Sequence, residues 1–173
     1  MKKTFFTLTF FLFSLPGLAL KVDSTRYEVL SGRKLKSEQK GLWDKKFSQK
    51  NYVFGKKPAV FLEENFHYIP TGSKVLDMGM GEGRNAVFLA TKGYEVVGVD
   101  ISSVAIKKAN ALAKEFKVKI KGVVASMTTY PIAEGEFDSI ICFYYVDRNL
   151  VEKMVKWLRP GGILIYEAHT THQ

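Results

Sequence analysis

Five short apolar runs in the later two-thirds of the chain constrain its fold more than any other feature. They are Lys74 to Asp77, Glu95 to Asp100, Val118 to Ala125, Phe137 to Tyr144, and Ile163 to Glu167. Each is too short for a stable helix and rich in β-branched or aromatic residues, which is the character of a strand. Between them lie segments with helical spacing: Asn85 to Thr91, a stretch that Ser102 or Ser103 can cap and that runs to about Phe116, and Leu150 to Leu158. Strands alternating with helices through short connections predict an α/β domain, an open, mostly parallel sheet with helices on both faces. Phe137 to Tyr144 is nearly continuous in apolar character, as a parallel strand covered on both sides must be. Upstream, Ala59, Phe61, Leu62 and Phe66 predict a short helix with Pro58 in its first turn, ended by Pro70-Thr71-Gly72. Lys92-Gly93 stops the helix before the second strand, and Pro160-Gly161-Gly162 predicts a tight turn before the fifth.

A length of 173 residues suits one domain, and a 46% hydrophobic share with 25% charged residues is ordinary for a globular one. Residues 1–20 stand apart. Lys2 and Lys3, an apolar run from Phe5 to Leu15, Pro16, and the small residues Gly17 and Ala19 have the three-part layout of a secretory leader. The run is shorter than the roughly 20 residues of a spanning helix, and no cysteine follows it to carry a lipid. The leader predicts export to the periplasm or medium, or an inner-membrane anchor if it stays uncleaved; a mistaken start site would leave a cytoplasmic protein. Residues 21–57 are expected to form a basic extension and cap, helical at most in part, and 58–173 the main domain. The net charge of +9 is spread along the chain. Its one dense patch, Arg33-Lys34-Leu35-Lys36 with Lys40, Lys45 and Lys46, reads as solvated surface rather than a nucleic-acid track, with a membrane-surface contact left open for it. A monomer is expected. The single cysteine, Cys142, sits inside an apolar run and reads as an inert buried thiol.

The chemistry concentrates where the first strand ends, in Leu76-Asp77-Met78-Gly79-Met80-Gly81-Glu82-Gly83-Arg84-Asn85. Glycine at a strand-to-helix turn lets the backbone approach a ligand, and the N–H groups of the next helix point at it. A triphosphate loop would need Lys-Ser or Lys-Thr after the glycines, and neither is present. A dinucleotide fingerprint fits from Gly81 through Gly83 to Ala86, but it leaves Gly79 and Asp77 unexplained and sets an acid beside a pyrophosphate. In open parallel sheets the ligand sits beyond the carboxyl ends of the strands; Asp77, Asp100, Ser126 and Phe143 all fall there.

Asp77-x-Gly79-x-Gly81-x-Gly83 resembles the first motif of the class I S-adenosylmethionine-dependent methyltransferases, which have a Rossmann-like sheet. Gly81 to Ala86, Gly93 to Val96, Gly98 to Ser102, Leu158 to Gly162 and Tyr166 to Thr170 are similar to the small bacterial methyltransferases of the tellurite-resistance type. Trp43 to Phe47 and Tyr52 to Pro58 resemble the segment that closes over the site in that group. The resemblance implies S-adenosylmethionine as cofactor, held by Asp77, Gly79, Gly81, Gly83, Arg84, Asn85, Asp100, Ile101, Ser126, Met127 and Phe143. Asp100, seventeen positions after Gly83, would accept from the ribose hydroxyls. Ser126 stands where many relatives carry an Asp for the adenine amino group, and Met127 would pack on the ring. Relatives normally add two strands beyond the fifth, after which this sequence ends, so either a C-terminally truncated fragment or an incomplete sheet with a poorly covered fifth-strand edge is expected.

The implied reaction is methyl transfer to a small-molecule acceptor by in-line displacement, for which positioning matters more than a dedicated base. Tyr144, Tyr145 and Asp147 lie where the acceptor would enter, and no catalytic residue is assigned. His169 and His172, without a cysteine or carboxylate partner, do not predict a metal site. Two other readings stay open from the residues: a NAD-type oxidoreductase, and an exported non-catalytic binding module.

Overall fold

Neighbouring residues of a strand point to opposite faces of its sheet, and here both faces are buried. The computed structural model describes residues 7–12 and 33–169, with the backbone alone for 7–12 and 33–36. In chain order the elements are β1 (Thr7–Leu12), α1 (Arg33–Phe47), α2 (Val60–Asn65) with a 3-10 turn at Phe66–Tyr68, β2 (Lys74–Met78), α3 (Arg84–Thr91), β3 (Glu95–Asp100), α4 (Ser103–Glu115), β4 (Lys121–Val124), β5 (Phe137–Phe143), a 3-10 turn at Arg148–Leu150, α5 (Val151–Trp157) and β6 (Leu158–His169). The sheet order is β1-β6-β5-β2-β3-β4, with every pairing parallel except β1 on β6.

Val75, Val96, Ile141 and Ile165 face one side, where they pack with Leu62 of α2, Ala86 and Leu89 of α3, and Ile106 and Ala109 of α4. Their strand neighbours Leu76, Val97, Ile140 and Leu164 face the other, against Leu150, Met154 and Trp157. This is the predicted α/β sheet with helices on both faces, and it sets the crevice: β2 pairs with β3 on one side and β5 on the other, so successive connections leave it in opposite directions.

Three boundaries and the cover of one sheet edge differ from the sequence reading. The predicted third strand begins at Lys121 rather than Val118, because residues 117 and 118 still finish α4: Lys117 N–H bonds to the Lys114 carbonyl at 3.1 Å and Val118 N–H to the Ala113 carbonyl at 2.9 Å. That paired closure places Lys117 at a left-handed φ of 57°. Lys117→Gly is therefore expected to raise stability by about 0.5–1 kcal/mol, measurable as a higher urea midpoint. Pro58 precedes α2 and its cap Ala59 rather than lying in the first turn.

Pro160-Gly161-Gly162 does not interrupt the last strand but lies within it. The β5 register steps from Phe137↔Leu158 to Ser139↔Ile163, a bulge with Gly161 at φ 80°. Arg159, at the foot of the bulge, pairs with Asp138 and donates to the Gly135 carbonyl. The outer edge of β6, expected to be poorly covered, is paired from Leu164 to His169 by β1. Lys2, Lys3, the Pro16 to Ala19 stretch and His172 lie outside the described residues. No described helix is long and apolar enough to cross a membrane.

Candidate cofactor site

β2 carries Asp77 to its end and the chain then turns sharply, because Gly79 and Met80 both donate their N–H groups to the Val99 carbonyl of β3 at 2.9 and 3.1 Å. The turn is held at its crown by Asp100, the last residue of β3. One carboxylate oxygen accepts the Gly81 N–H at 2.8 Å and the other the Ser102 N–H at 2.8 Å. Ser102 in turn caps α4, accepting from the Ala105 N–H at 3.1 Å. One side chain thus fixes the glycine turn to the start of the next helix.

Asp77 is the unusual group. It is 2% exposed, and its Oδ2 has no hydrogen-bond partner among the described residues. Burial, reinforced by the nearby charge of Asp100, pushes its carboxyl up to about 7, against the pull of Arg84 and the Ala86 N–H. Burial also raises Asp100, opposed by the N–H groups of Ser102 and Gly81. A buried acid with an open acceptor, facing a cavity, is a receptor for a cationic or N–H-bearing group.

The cavity encloses about 780 Å³. Of the residues singled out in the sequence, Asp77, Gly79, Gly81, Arg84, Asn85, Asp100, Ile101, Ser126, Met127 and Phe143 all line it. Gly83 does not. A Cβ built on it would lie 2.6 Å from the Ala109 Cβ and 3.0 Å from its Cα, so this glycine, at φ 85°, lets α3 pack against α4. Gly79 is needed for a different neighbour, since a Cβ there would stand 2.9 Å from that of Tyr145. Arg84 and Asn85 reach the wall, but their polar atoms turn to the chain upstream: Arg84 donates to the Phe54 carbonyl at 3.2 Å and Asn85 Oδ1 accepts the Ala59 N–H at 2.9 Å. Ser126 shares a hydrogen bond with Thr128 at 2.9 Å, and Met127, 3% exposed, belongs to the core as well as to the wall.

The wall also takes in Trp43, Phe47 and Phe54, from the two segments whose resemblance implied that they close over the site, together with Gln39 of α1, which was not singled out. Docking runs through Asp44, which accepts from Ser102 Oγ at 2.6 Å and pairs with Lys40. At the opposite rim Tyr144 holds a left-handed φ of 60°. Its hydroxyl donates to buried Glu167 at 2.8 Å and its ring stacks on His169 with centroids 4.5 Å apart. Burial and Glu167 raise the Tyr144 phenol to about 12, so at neutral pH it stays protonated and acts as a hydrogen-bond donor. The second carboxylate oxygen of Glu167 is buried without a hydrogen-bond partner among the described residues. Cys142 is buried and its thiol raised by that burial, in keeping with an inert role. Among the described residues no group of three or more metal-ligating side chains occurs.

A family model described as a methyltransferase domain matches residues 75–162. The chain is 31% identical over 111 residues to phosphoethanolamine N-methyltransferase 1 of Arabidopsis thaliana, covering 59% of this chain and 22% of that one. It is 30% identical over 116 residues to the tRNA 5-carboxymethoxyuridine methyltransferase of Escherichia coli K12, covering 58% and 42%. A SAM-dependent methyltransferase from Thiobacillus denitrificans, solved with S-adenosyl-L-homocysteine, shares the fold with a TM-score of 0.58 at 19% identity, covering 69% of this chain and 52% of that one. The matched segment spans from about a fifth to about half of the length of these and similar curated relatives. The family match runs from the second residue of β2 to the bulge of β6, across the strands that build the crevice, and the chain belongs to the methyltransferase-domain family.

Proposed function

We propose that this protein catalyses S-adenosylmethionine-dependent methyl transfer to a small-molecule acceptor. The observation that carries the reading is Asp77, a buried carboxylate with one open oxygen beside a glycine turn. An amine and a sulfonium meet that oxygen favourably, whereas a pyrophosphate meets it with repulsion, which weighs against a dinucleotide oxidoreductase. Asp100 suits a ribose diol: each of its oxygens accepts one main-chain N–H and retains a lone pair for a hydroxyl. Ile101 and Met127 offer an apolar slot for adenine, with Ser126 as a hydroxyl contact at its edge.

When bound, the cofactor supplies a methyl group on an excellent leaving group. The protein's part is to hold the acceptor in line and keep water out, which is worth on the order of 7–11 kcal/mol at best. Beyond the cofactor end the wall is made by Trp43, Phe54, Tyr144, Tyr145, Val146 and Leu150, with Asp147 and Lys153 at the rim. An aromatic wall with so few cations suits a compact organic acceptor better than a tRNA backbone. Glu167 fixes the Tyr144 hydroxyl at that rim as a positioning group.

Titration calorimetry with S-adenosylmethionine, S-adenosylhomocysteine and NADH tests the reading. Binding of the first two and not the third is expected. Absence of heat with both adenosyl ligands at millimolar concentration would overturn it, and NADH binding alone would favour the oxidoreductase. We also carry the leader as a proposed export signal or anchor. A mature amino terminus near Leu20 or Lys21 would support export and would remove β1 from the sheet; a retained Met1 would remove the leader reading.

A further inference from the structure

The first half of the glycine motif shapes the cofactor turn, but its second half makes bonds that cofactor binding does not explain. Glu82 is 4% exposed, and both its oxygens are engaged by the protein itself. Oε2 accepts the Val53 N–H at 2.7 Å, and Oε1 pairs with Lys108 Nζ of α4 at 2.6 Å. The same ammonium donates to the carbonyls of Gln49 at 2.7 Å and Asn51 at 2.9 Å. Tyr52 closes the arrangement by donating to the Lys108 carbonyl at 3.1 Å. With Arg84 on the Phe54 carbonyl and Asn85 on the Ala59 N–H, three motif side chains grip residues 53–59. That strap carries Phe54 and Gly55 into the cavity wall and is continuous with Phe47, whose ring lies 3.5 Å from where a Cβ on Gly81 would be.

We propose that the Glu82–Lys108 pair is a latch that positions the 49–55 strap against the glycine turn, and that cofactor affinity depends on the latch through the strap. The inference rests on the cofactor reading above for its affinity arm alone. A buried ion pair whose remaining lone pairs and protons are satisfied holds its partners in one geometry, and breaking one side leaves an uncompensated charge. Here the satisfied groups are strap main-chain atoms, so losing the pair frees the strap. Glu82 and Lys108 are positioning residues, acting on the cofactor site through Phe54 and Phe47.

The test compares wild type with Glu82→Gln, which keeps the size of the side chain but turns an NH2 toward Lys108 or Val53. Trypsin cleavage after Lys45, Lys46, Lys50 and Lys56 of the ligand-free proteins reports opening of the strap. Calorimetry with S-adenosylhomocysteine reports the site. The variant is expected to be cut at least about tenfold faster in this segment and to bind about tenfold or more weakly. Lys108→Arg, which keeps the charge, should restore both to within about threefold of wild type. Lys56→Met, which breaks the exposed pair with Glu115 on the same strap, should leave affinity unchanged. Unchanged cleavage in folded Glu82→Gln overturns the latch whether or not wild type binds the cofactor, and faster cleavage with unchanged affinity overturns the coupling. If wild type itself does not bind, the cofactor reading fails, and the cleavage comparison still decides the latch. Should Glu82→Gln not fold, Tyr52→Phe, which removes only the strap's hydroxyl bond, is expected to shift both readouts in the same direction by about threefold, and no shift overturns the proposal.

Discussion

Replacing Asp77 with Asn is expected to weaken S-adenosylmethionine binding by on the order of 2–4 kcal/mol, roughly 30- to 1,000-fold, while stabilising the ligand-free protein at and above pH 7. Both effects come from one buried carboxylate. In the folded protein its pKa is raised to about 7, chiefly by burial and then by Asp100, against about 3.9 in the unfolded chain. A raised acid binds more protons folded than unfolded across that interval. Its contribution to stability is therefore complete below about pH 4 and is lost as pH rises toward 7. Integrated over the window, the loss is a few kcal/mol.

The Asn variant carries no such titration. Its thermal midpoint should match wild type below about pH 4, where Asp77 is protonated in both the folded and the unfolded chain, and exceed it at pH 8. Cofactor binding supplies the other half of the check. A cation beside Asp77 favours the carboxylate, so wild-type binding at pH 7 should release about half a proton. Calorimetry in buffers of different ionisation enthalpy reads that number directly, and the Asn variant should release none. A wild-type midpoint that rises from pH 4 to pH 7 relative to the variant would show that the carboxylate is not held neutral by its surroundings.

Gly83→Ala is expected to be the most damaging single methyl in the turn, lowering stability by about 2–4 kcal/mol and the melting midpoint by roughly 4–16 °C. Two penalties add. The residue sits at φ 85°, where an L side chain is strained, and the new Cβ would stand 2.6 Å from that of Ala109 with the α4 backbone behind it. Backbone cannot swing aside as a side chain can, so α3 must move off α4. Gly72→Ala separates the terms: φ there is 75°, but no described residue lies within 4 Å of the added carbon. It should show the strain alone, about 1 kcal/mol. Equal losses at the two positions in thermal melts would show that helix packing does not set the requirement at Gly83.

The strand-end acids were legible because they depend on short-range pattern. Asp77 follows a run too short for a helix, Asp100 ends the next such run, and a parallel sheet sends both to one edge. The same strand-end pattern places Ser126 and Phe143 at that edge, whereas Ile101 and Met127 were implied by the family resemblance. Gly83, Arg84 and Asn85 were legible as motif members but not in what they do. Their partners are Ala109, Phe54 and Ala59, 26 to 30 positions away, and no local rule reports a contact made by docking. The bulge in β6 was read as a turn for a related reason. Pro160-Gly161-Gly162 has turn composition, and only pairing with β5 absorbs those residues into a ladder. Tyr144 shows the limit again: its left-handed backbone and its bond to Glu167 exist only because β5 and β6 end side by side.

What the sequence alone determined is the alternation of elements and the switch-point crevice, which follow from side-chain period, and the ligand preference of an acid–glycine turn, which follows from the charge of Asp77 and the resemblance its motif carries. The tertiary structure decided which motif atoms remain open to a ligand. Asp77 keeps an oxygen with no partner among the described residues, while both oxygens of Glu82 are taken by Val53 and Lys108. The two carboxylates lie five positions apart in one motif, and the difference between them is which distant main-chain groups folding brings within reach.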